Sequence, residues 1–214
     1  MKNIYLSLIL IVLGIGCSKS KKDNTVNSDT LQAILDKKVS SYKILMQSKA
    51  IGMGLYIKDE VSDMYLSSGF PESHKENIRF RGASTTKTFT AAAILRLQEQ
   101  GKLNIDDKIT ANIHGSTEPY VPNSADYEVP YKEEITIRQL LSHRAGIFDV
   151  TNTPIPDTVK APYAGQDYTE YLQAIKGDTY TFEFLDLIGV AARHKLSYFK
   201  PGSAYHYSNT GYNM

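Results

Sequence analysis

This 214-residue sequence has little cysteine, no histidines in metal-ligand spacing and almost no net charge. The chain has one cysteine, Cys17, and its five histidines show no spacing such as His-x-x-x-His. We therefore expect no disulfide, no protein-built metal site and no cofactor. The 24 basic residues nearly balance the 23 acidic ones, which gives a formal net charge of +1. Without a strong field of one sign, we expect no nucleic-acid partner, and a small, nearly neutral partner fits better.

Long apolar runs are also missing, apart from residues 4–15 near the amino terminus. This run is shorter than the roughly 20 residues that span a bilayer as a helix, and it follows a lysine, so residues 1–16 are predicted to be a cleaved signal peptide. The stretch Leu13-Gly14-Ile15-Gly16-Cys17 resembles a bacterial lipobox, which implies that Cys17 carries the lipid. The alternative is an ordinary secretory signal with a chance cysteine. Either way the sequence predicts export, and the lipobox predicts a bacterial membrane-anchored lipoprotein, periplasmic or at the cell surface.

Residues 17–28 are polar and lack an apolar period, so they are predicted to be a flexible tether, with the folded domain at 29–214. No repeat of 20 to 50 residues is visible, which excludes a solenoid or propeller. Apolar periodicity, capping signals and runs of β-formers predict the following elements: a helix over 29–47 that packs on a sheet, a hairpin of strands 51–57 and 63–70, a helix with a buried alanine-rich face that starts near Ser84 and stops at Gly101, a helix with a Thr136/Gln139 capping box that stops at Gly146, a short helix at 168–175 among long loops, and a helix over 182–194.

Two strands alone make a poor sheet. We therefore expect an α+β fold that is incomplete at its carboxy-terminal end, with further strands needed to complete the sheet. The alternative is a nearly all-helical protein with one hairpin.

The strongest chemical signal is the pair Ser84 and Lys87, three positions apart at the predicted start of a helix. Residues at this spacing share a helical face, so the lysine amine can reach the serine hydroxyl. The unpaired amide hydrogens of the first turn, including that of Ser84, provide donors for a developing oxyanion. The positive end of the helix and burial both disfavour the charged ammonium form of the lysine. A serine nucleophile needs this combination of base and donors.

The Ser-x-x-Lys spacing by itself has little specificity, since about one match is expected by chance in a chain of this size. Two further pairs, Ser18/Lys21 in the tether and Ser40/Lys43 inside the first helix, lack free amides nearby and serve as internal controls. Near the other end, Tyr207-Ser208-Asn209 places a phenol and an amide on a predicted loop. Alone, this triplet is better explained as a packed tyrosine and a turn asparagine, and only together with Ser84 and Lys87 is a role in catalysis favoured.

Three ordered blocks, "FRGASTTKTFTAAAILRLQEQGKLNIDDKI", "ITIRQLLSHRAGI" and "FKPGSAYHYSNTGY", together resemble the serine beta-lactamase-like and penicillin-binding superfamily. They are most similar to its branch of D-alanyl-D-alanine carboxypeptidases, class C beta-lactamases and related esterases. The resemblance covers roughly residues 50–214. It implies a beta-lactamase/transpeptidase-like antiparallel sheet flanked by helices plus a helical subdomain. It also implies that Ser84 is the acylated nucleophile, that Lys87 and Tyr207 act as a coupled proton-transfer pair, and that Asn209 binds the substrate amide.

One family block is absent: the Lys or His followed by Ser/Thr and Gly, on a strand that also gives the second oxyanion donor. The resemblance therefore implies that these 214 residues are inactive alone and that the complete gene product is active. The tyrosine-rich stretch 148–200 would border the substrate cleft in this fold and leaves the substrate open.

The leading functional hypothesis is an exported, lipid-anchored serine hydrolase that forms an acyl-enzyme with an amide or ester. A peptidoglycan-type D-alanyl peptide is the expected substrate, as for a D-alanyl-D-alanine carboxypeptidase. The alternatives are a beta-lactamase, an esterase for small acyl esters, and a non-catalytic penicillin-binding or sensor module.

Overall fold

A computed structural model of the chain describes residues 27–47, 52–58, 60, 63–70, 79 and 81–214. The chain divides into two compact units, one within Met1–Phe80 and one formed by Arg81–Met214. The predicted signal peptide, Cys17 and nearly all of the predicted tether lie outside the described residues. Within the described residues, no helix combines the length and apolar composition that a membrane crossing requires. The same residues contain no cluster of His, Cys, Asp and Glu that could hold a metal ion.

The first unit contains helix α1, Ser28–Met46, and strands β1, Met53–Lys58, and β2, Asp63–Ser68. The strands pair antiparallel with Leu55 opposite Leu66, as the predicted hairpin requires. Helix α1 begins where the side chain of Asn27 accepts the backbone N–H of Asp29 at 2.8 Å, a typical helix cap. The helix packs on β2, and the Gln32 amide donates to the carbonyl of Ser67 at 3.1 Å. The predicted helix on a hairpin is therefore confirmed.

The regular secondary structure of the second unit is helical, and its α-helices are short apart from the first. Their bounds are α2 Thr86–Glu99, α3 Ile137–Leu141, α4 Tyr168–Lys176, α5 Phe184–Arg193 and α6 Asn209–Asn213. The core of the unit extends from Leu103 to Ala192 and includes the fully buried Ile188 and Val190 of α5. Long irregular segments supply most of the remaining core residues, from Leu103 to Ile135 before α3 and from Ala145 to Tyr163 between α3 and α4. The loops that the sequence predicts around a short helix at 147–180 are present.

Helix α2 differs from its prediction in burial. Its end is as expected, because Gly101 takes a left-handed φ of 68° and the N–H of Lys102 returns to the carbonyl of Leu97 at 3.0 Å. The predicted buried face is wrong: no residue of α2 is buried, and Phe89 is 72% exposed. The reason is that the core of this unit is built from Leu103 onwards, and α2 reaches it only at its margin, through Ile94.

Helix α3 has the predicted capping box, in which Thr136 and Gln139 each accept the other's backbone N–H. The predicted stop at Gly146 is wrong. The helix ends at Leu141, and His143 takes the left-handed position with φ 57°. The N–H of His143 donates to the carbonyl of Leu140 at 3.1 Å, which closes the turn.

Gly146 instead lies where two chain segments touch. It has φ 75°, and a Cβ at this position would overlap the carbonyl oxygen of Phe199. The carbonyl of Gly146 also accepts the N–H of Tyr198 at 2.8 Å. The glycine is needed for close backbone approach rather than for ending the helix.

Replacing Gly146 with Ala should lower the free energy of unfolding by about 3 kcal/mol, because the overlap with Phe199 is with rigid backbone. Gly101 is the matched control: it has a similar φ of 68°, but a Cβ there meets nothing within 4 Å. Gly101→Ala should cost about 1 kcal/mol, the cost of the left-handed backbone alone. Urea unfolding measures both, and equal losses for the two variants would contradict the close approach.

Candidate active site

Ser84 and Lys87 are positioned by the start of α2. Ser84 lies in a 3-10 turn, Ala83–Thr85, that runs directly into the helix. Ala83 has a left-handed φ of 43°, a strained conformation for a residue with a Cβ. Lys87 follows one turn later, and its Nζ lies 3.4 Å from the Ser84 Oγ. Among the described residues, none accepts the backbone N–H of Ser84.

Tyr207 and Asn209 come to the same place from the other end of the unit. The Tyr207 phenol donates to the Ser84 Oγ at 2.7 Å, and the Lys87 Nζ donates to the Asn209 Oδ1 at 2.6 Å. The structure therefore brings together all four residues that the sequence singled out. One detail of the prediction is wrong: Asn209 is the first residue of α6 rather than part of a loop, because the Ser208 hydroxyl caps the helix by accepting the N–H of Gly211 at 2.9 Å.

Of the two other Ser-x-x-Lys pairs, only Ser40/Lys43 lies in the described residues, and it has no counterpart of Tyr207 or Asn209. Ser40 lies exposed in the middle of α1, and no described side chain hydrogen-bonds to it. Ser18 and Lys21 lie outside the described residues. Position at a helix start, rather than the spacing, distinguishes Ser84.

His143 is a site residue that the sequence does not predict, because it has no metal-ligand spacing and no local catalytic motif. Its ring packs against Tyr207, with centroids 4.3 Å apart, and against Tyr212 at 4.9 Å. Its Nδ1 accepts the backbone N–H of Ser208 at 3.2 Å, and its carbonyl accepts the N–H of His206 at 3.1 Å. The end of α3 thereby fixes the backbone on both sides of Tyr207.

The hydrogen bond from Ser208 defines the protonation of His143. An Nδ1 that accepts a hydrogen bond carries no proton, so the ring is neutral with its proton on Nε2. Burial lowers the pKa of His143, the charge of Lys87 lowers it further, and Asp149 opposes both. The surroundings therefore favour the neutral form that the contact with Ser208 needs.

Two more contacts hold helix α6 against the rest of the unit. The Tyr212 phenol donates to the carbonyl of Leu141 at 2.9 Å, and burial raises the pKa of Tyr212, which keeps this phenol protonated. The buried Thr210 hydroxyl accepts the N–H of Val150 at 3.1 Å. The backbone that carries Asn209 is thus anchored independently of its side chain.

Comparison with known proteins identifies the family. Residues 48–214 match the family model described as Beta-lactamase. The chain belongs to the beta-lactamase family. The predicted superfamily and the α+β fold class are therefore confirmed.

Two curated proteins illustrate the relationship. The chain is 31% identical over 139 residues to penicillin-binding protein 4* of Bacillus subtilis, which covers 64% of this chain and 24% of the relative. It is 29% identical over 137 residues to protein flp of Staphylococcus aureus, covering 64% of this chain and 22% of the relative. The chain thus spans about a quarter of the length of these curated relatives.

Solved structures give the same fold. A D-stereospecific amidohydrolase from Streptomyces sp. superimposes with a TM-score of 0.58 at 26% identity, covering 87% of this chain and 47% of that one. The D-amino acid amidase from Ochrobactrum anthropi SV3, complexed with L-phenylalanine, gives 0.55 at 22% identity, covering 87% and 42%. At this identity the second similarity shows the fold alone.

Replacing His143 with Asn should make the stability of the protein less dependent on pH below neutrality. The pKa of His143 is lower in the folded protein than its unfolded value near 6.5, so the unfolded chain binds more protons in acid. His143 therefore contributes stability that is present above pH 6.5 and is lost as the pH falls. Asn tolerates the left-handed backbone and keeps an acceptor for Ser208.

Urea unfolding of the wild type and H143N between pH 8 and pH 5 measures this difference. H194Q is the comparison variant. Burial and the charge of Arg193 also lower the pKa of His194, so H194Q should flatten the pH dependence as well, but without disturbing the site, since this ring bonds to Tyr163. Identical pH slopes for wild type and H143N would rule out the interpretation.

Proposed function

We propose that the gene product is a serine hydrolase that forms an acyl-enzyme with amide or ester substrates. Ser84 is the nucleophile, Lys87 and Tyr207 transfer its proton, and Asn209 binds the substrate amide. The observation that carries the proposal is the convergence on one hydroxyl: the Ser84 Oγ is 2.7 Å from the Tyr207 phenol oxygen and 3.4 Å from the Lys87 Nζ. Membership of the beta-lactamase family supports the same chemistry.

In this mechanism the Ser84 oxygen attacks the carbonyl carbon while its proton passes to the Lys87–Tyr207 pair. The bond between carbon and the leaving nitrogen or oxygen then breaks, and the pair returns the proton to the leaving group. Water subsequently hydrolyses the serine ester and regenerates the hydroxyl. Because Lys87 and Tyr207 both contact the Ser84 hydroxyl, they act together as one proton-transfer pair.

The negative charge that develops on the carbonyl oxygen needs preorganised donors. We propose the backbone N–H of Ser84, in the turn that leads into α2, as one such donor. Because the sequence lacks the family block that carries the second donor, we propose that the 214 residues alone do not turn over substrate. The experiments below therefore use the complete gene product.

For the substrate we propose an amide on the carboxyl side of a D-amino acid residue, as in a D-alanyl-D-alanine peptide. The name of one similar solved structure, a D-stereospecific amidohydrolase at 26% identity, supports this choice. The kinship with penicillin-binding protein 4* supports a peptidoglycan-type peptide as the larger form of the same amide. A small nearly neutral substrate also fits the net charge of +1.

Replacing Ser84 with Ala should abolish the covalent adduct that the wild-type protein forms with a D-alanyl thioester or a beta-lactam. Turnover should fall on the order of 10⁴-fold or more, because the oxygen that forms the proposed ester is removed. Intact-protein mass spectrometry detects the adduct, and S40A is the matched control, since Ser40 has the same spacing to Lys43. An adduct that persists in S84A, or one that disappears in S40A, would place the nucleophile elsewhere.

A substrate panel distinguishes the possible reactions. A D-amino acid amide, a D-alanyl-D-alanine peptide, a beta-lactam and a small ester are compared by kcat/KM. We expect the D-amino acid amide and the D-alanyl-D-alanine peptide to be turned over, and the beta-lactam to remain bound as a long-lived adduct. Fast turnover of the beta-lactam indicates a beta-lactamase, preference for the ester indicates an esterase, and no adduct with any compound indicates a non-catalytic module.

We also propose that the protein is exported from a bacterial cell and anchored by a lipid on Cys17. The lysine, the short apolar run at 4–15 and the small residues before Cys17 support this proposal. Mass spectrometry of the mature amino-terminal peptide should find Cys17 as its first residue, carrying a thioether-linked diacylglycerol. An unmodified cysteine within an uncleaved terminus would contradict it.

A further inference from the structure

Asp149 is a fully buried carboxylate that the proposed mechanism does not use. Its Oδ1 accepts the backbone N–H of Thr151 at 3.1 Å and the Thr151 hydroxyl at 2.8 Å. Its Oδ2 accepts the side-chain amide of Asn152 at 2.7 Å. A buried carboxylate with three donors is well paired, and it acts on its neighbours by fixing where their protons point.

The first of these neighbours is the Thr151 hydroxyl. A carboxylate only accepts hydrogen bonds, so the single hydroxyl proton of Thr151 is committed to Asp149. The Thr151 oxygen is then left with lone pairs alone. It uses one of them to accept the Nδ2 of Asn209 at 2.6 Å.

This commitment fixes the orientation of the Asn209 amide. With Nδ2 held by Thr151, the Asn209 Oδ1 faces the Lys87 Nζ at 2.6 Å. The reversed amide would direct its NH2 group at the amine and its oxygen at a Thr151 oxygen that has no proton to give. Both contacts would be lost, and such unpaired polar groups are costly inside a protein.

We propose that Asp149 and Thr151 are positioning residues, which hold the Asn209 amide with its oxygen on Lys87 and thereby orient the amine beside Ser84. The four groups form one chain of hydrogen bonds, Asp149–Thr151–Asn209–Lys87, of 2.8, 2.6 and 2.6 Å. The consequence for acylation rests on the proposed function. The hydrogen-bond chain itself does not.

The position of α6 separates the effect of this chain from a general loosening of the fold. Thr210 accepts the N–H of Val150, and Ser208 caps the helix, so the backbone of α6 is held without the Thr151 hydroxyl. Removing that hydroxyl releases the side-chain amide of Asn209 while the helix stays in place. The expected defect is therefore in orientation and not in folding.

The chain contains a second copy of the same local arrangement away from the site. In Asp167-Tyr168-Thr169, the Asp167 Oδ1 accepts the N–H of Thr169 at 2.8 Å and the Thr169 hydroxyl at 2.6 Å. Thr169 is half-buried, as is Thr151. The Thr169 hydroxyl does not contact Asn209, so Thr169→Val loses the same hydroxyl–carboxylate bond without touching the site.

The experiment compares Thr151→Val, Thr151→Ser and Thr169→Val in the complete gene product, using the rate of acylation by a D-alanyl thioester. T151V should acylate about tenfold more slowly or worse, since small misplacements of positioned groups cost up to about 100-fold. T169V should keep a rate close to that of the wild type, and T151S, which retains the hydroxyl, should recover most of the loss. Equal rates for T151V and T169V, or no recovery in T151S, would overturn the proposal.

A second measurement does not depend on activity. Thermal unfolding of T151V, Asn209→Ala and the double variant should be strongly non-additive, because both single changes break the same hydrogen bond. The matched cycle with T169V and Asn209→Ala should be additive. Additivity in the first cycle would refute the hydrogen-bond chain, whereas a wild-type protein that forms no adduct but shows this coupling would refute only the proposed function.

Discussion

The site depends on the anchoring of the segment from His206 to Tyr212. This segment supplies both Tyr207 and Asn209, and it is held to the end of α3 through His143 and to the following loop through Thr210. Each of these contacts uses a backbone N–H that would otherwise be buried without a partner, so loss of any one is costly. The phenol can meet Ser84 only because its backbone is fixed from both sides.

Two of the strained backbone positions of the second unit lie at the site. Ala83, immediately before the candidate nucleophile, and His143, beside the phenol, both adopt left-handed backbone conformations without being glycine. Such conformations cost about 1 kcal/mol or more and persist only where surrounding contacts over-determine them. At Ala83 the turn into α2 turns the Ser84 side chain toward Tyr207, and at His143 the turn places an imidazole ring against the same phenol.

Local signals in the sequence predicted much of this structure. The capping box at Thr136, the glycine stop at Gly101 and the helix on a hairpin depend on residues close together in the chain, so they could be read directly. The Ser84–Lys87 contact is also local, one helical turn long. The contact of Tyr207 with Ser84 could be predicted only from the family resemblance. Local sequence patterns span a few residues and carry no information about a partner so far along the chain.

What the sequence did not reveal depends on tertiary contacts. The apolar periodicity around Phe89 correctly predicted a helix. It did not predict whether other residues cover the apolar face of that helix, and Phe89 is exposed. His143 and Asp149 do not belong to a sequence motif that indicates a role at the site. The Asp-x-Thr spacing at Asp149 does signal a side chain that bonds to its own backbone, yet the identical spacing at Asp167 caps an ordinary helix.

The separation between the partners of Ser84 has a consequence for biosynthesis. The phenol that donates to this serine is 123 positions further along the chain, and contacts of such long range form late in folding. While the ribosome is still making the intervening residues, the nascent chain has the serine and the amine but not the phenol. A chain shorter than 207 residues therefore contains the Ser84–Lys87 pair without the hydrogen bond from the phenol.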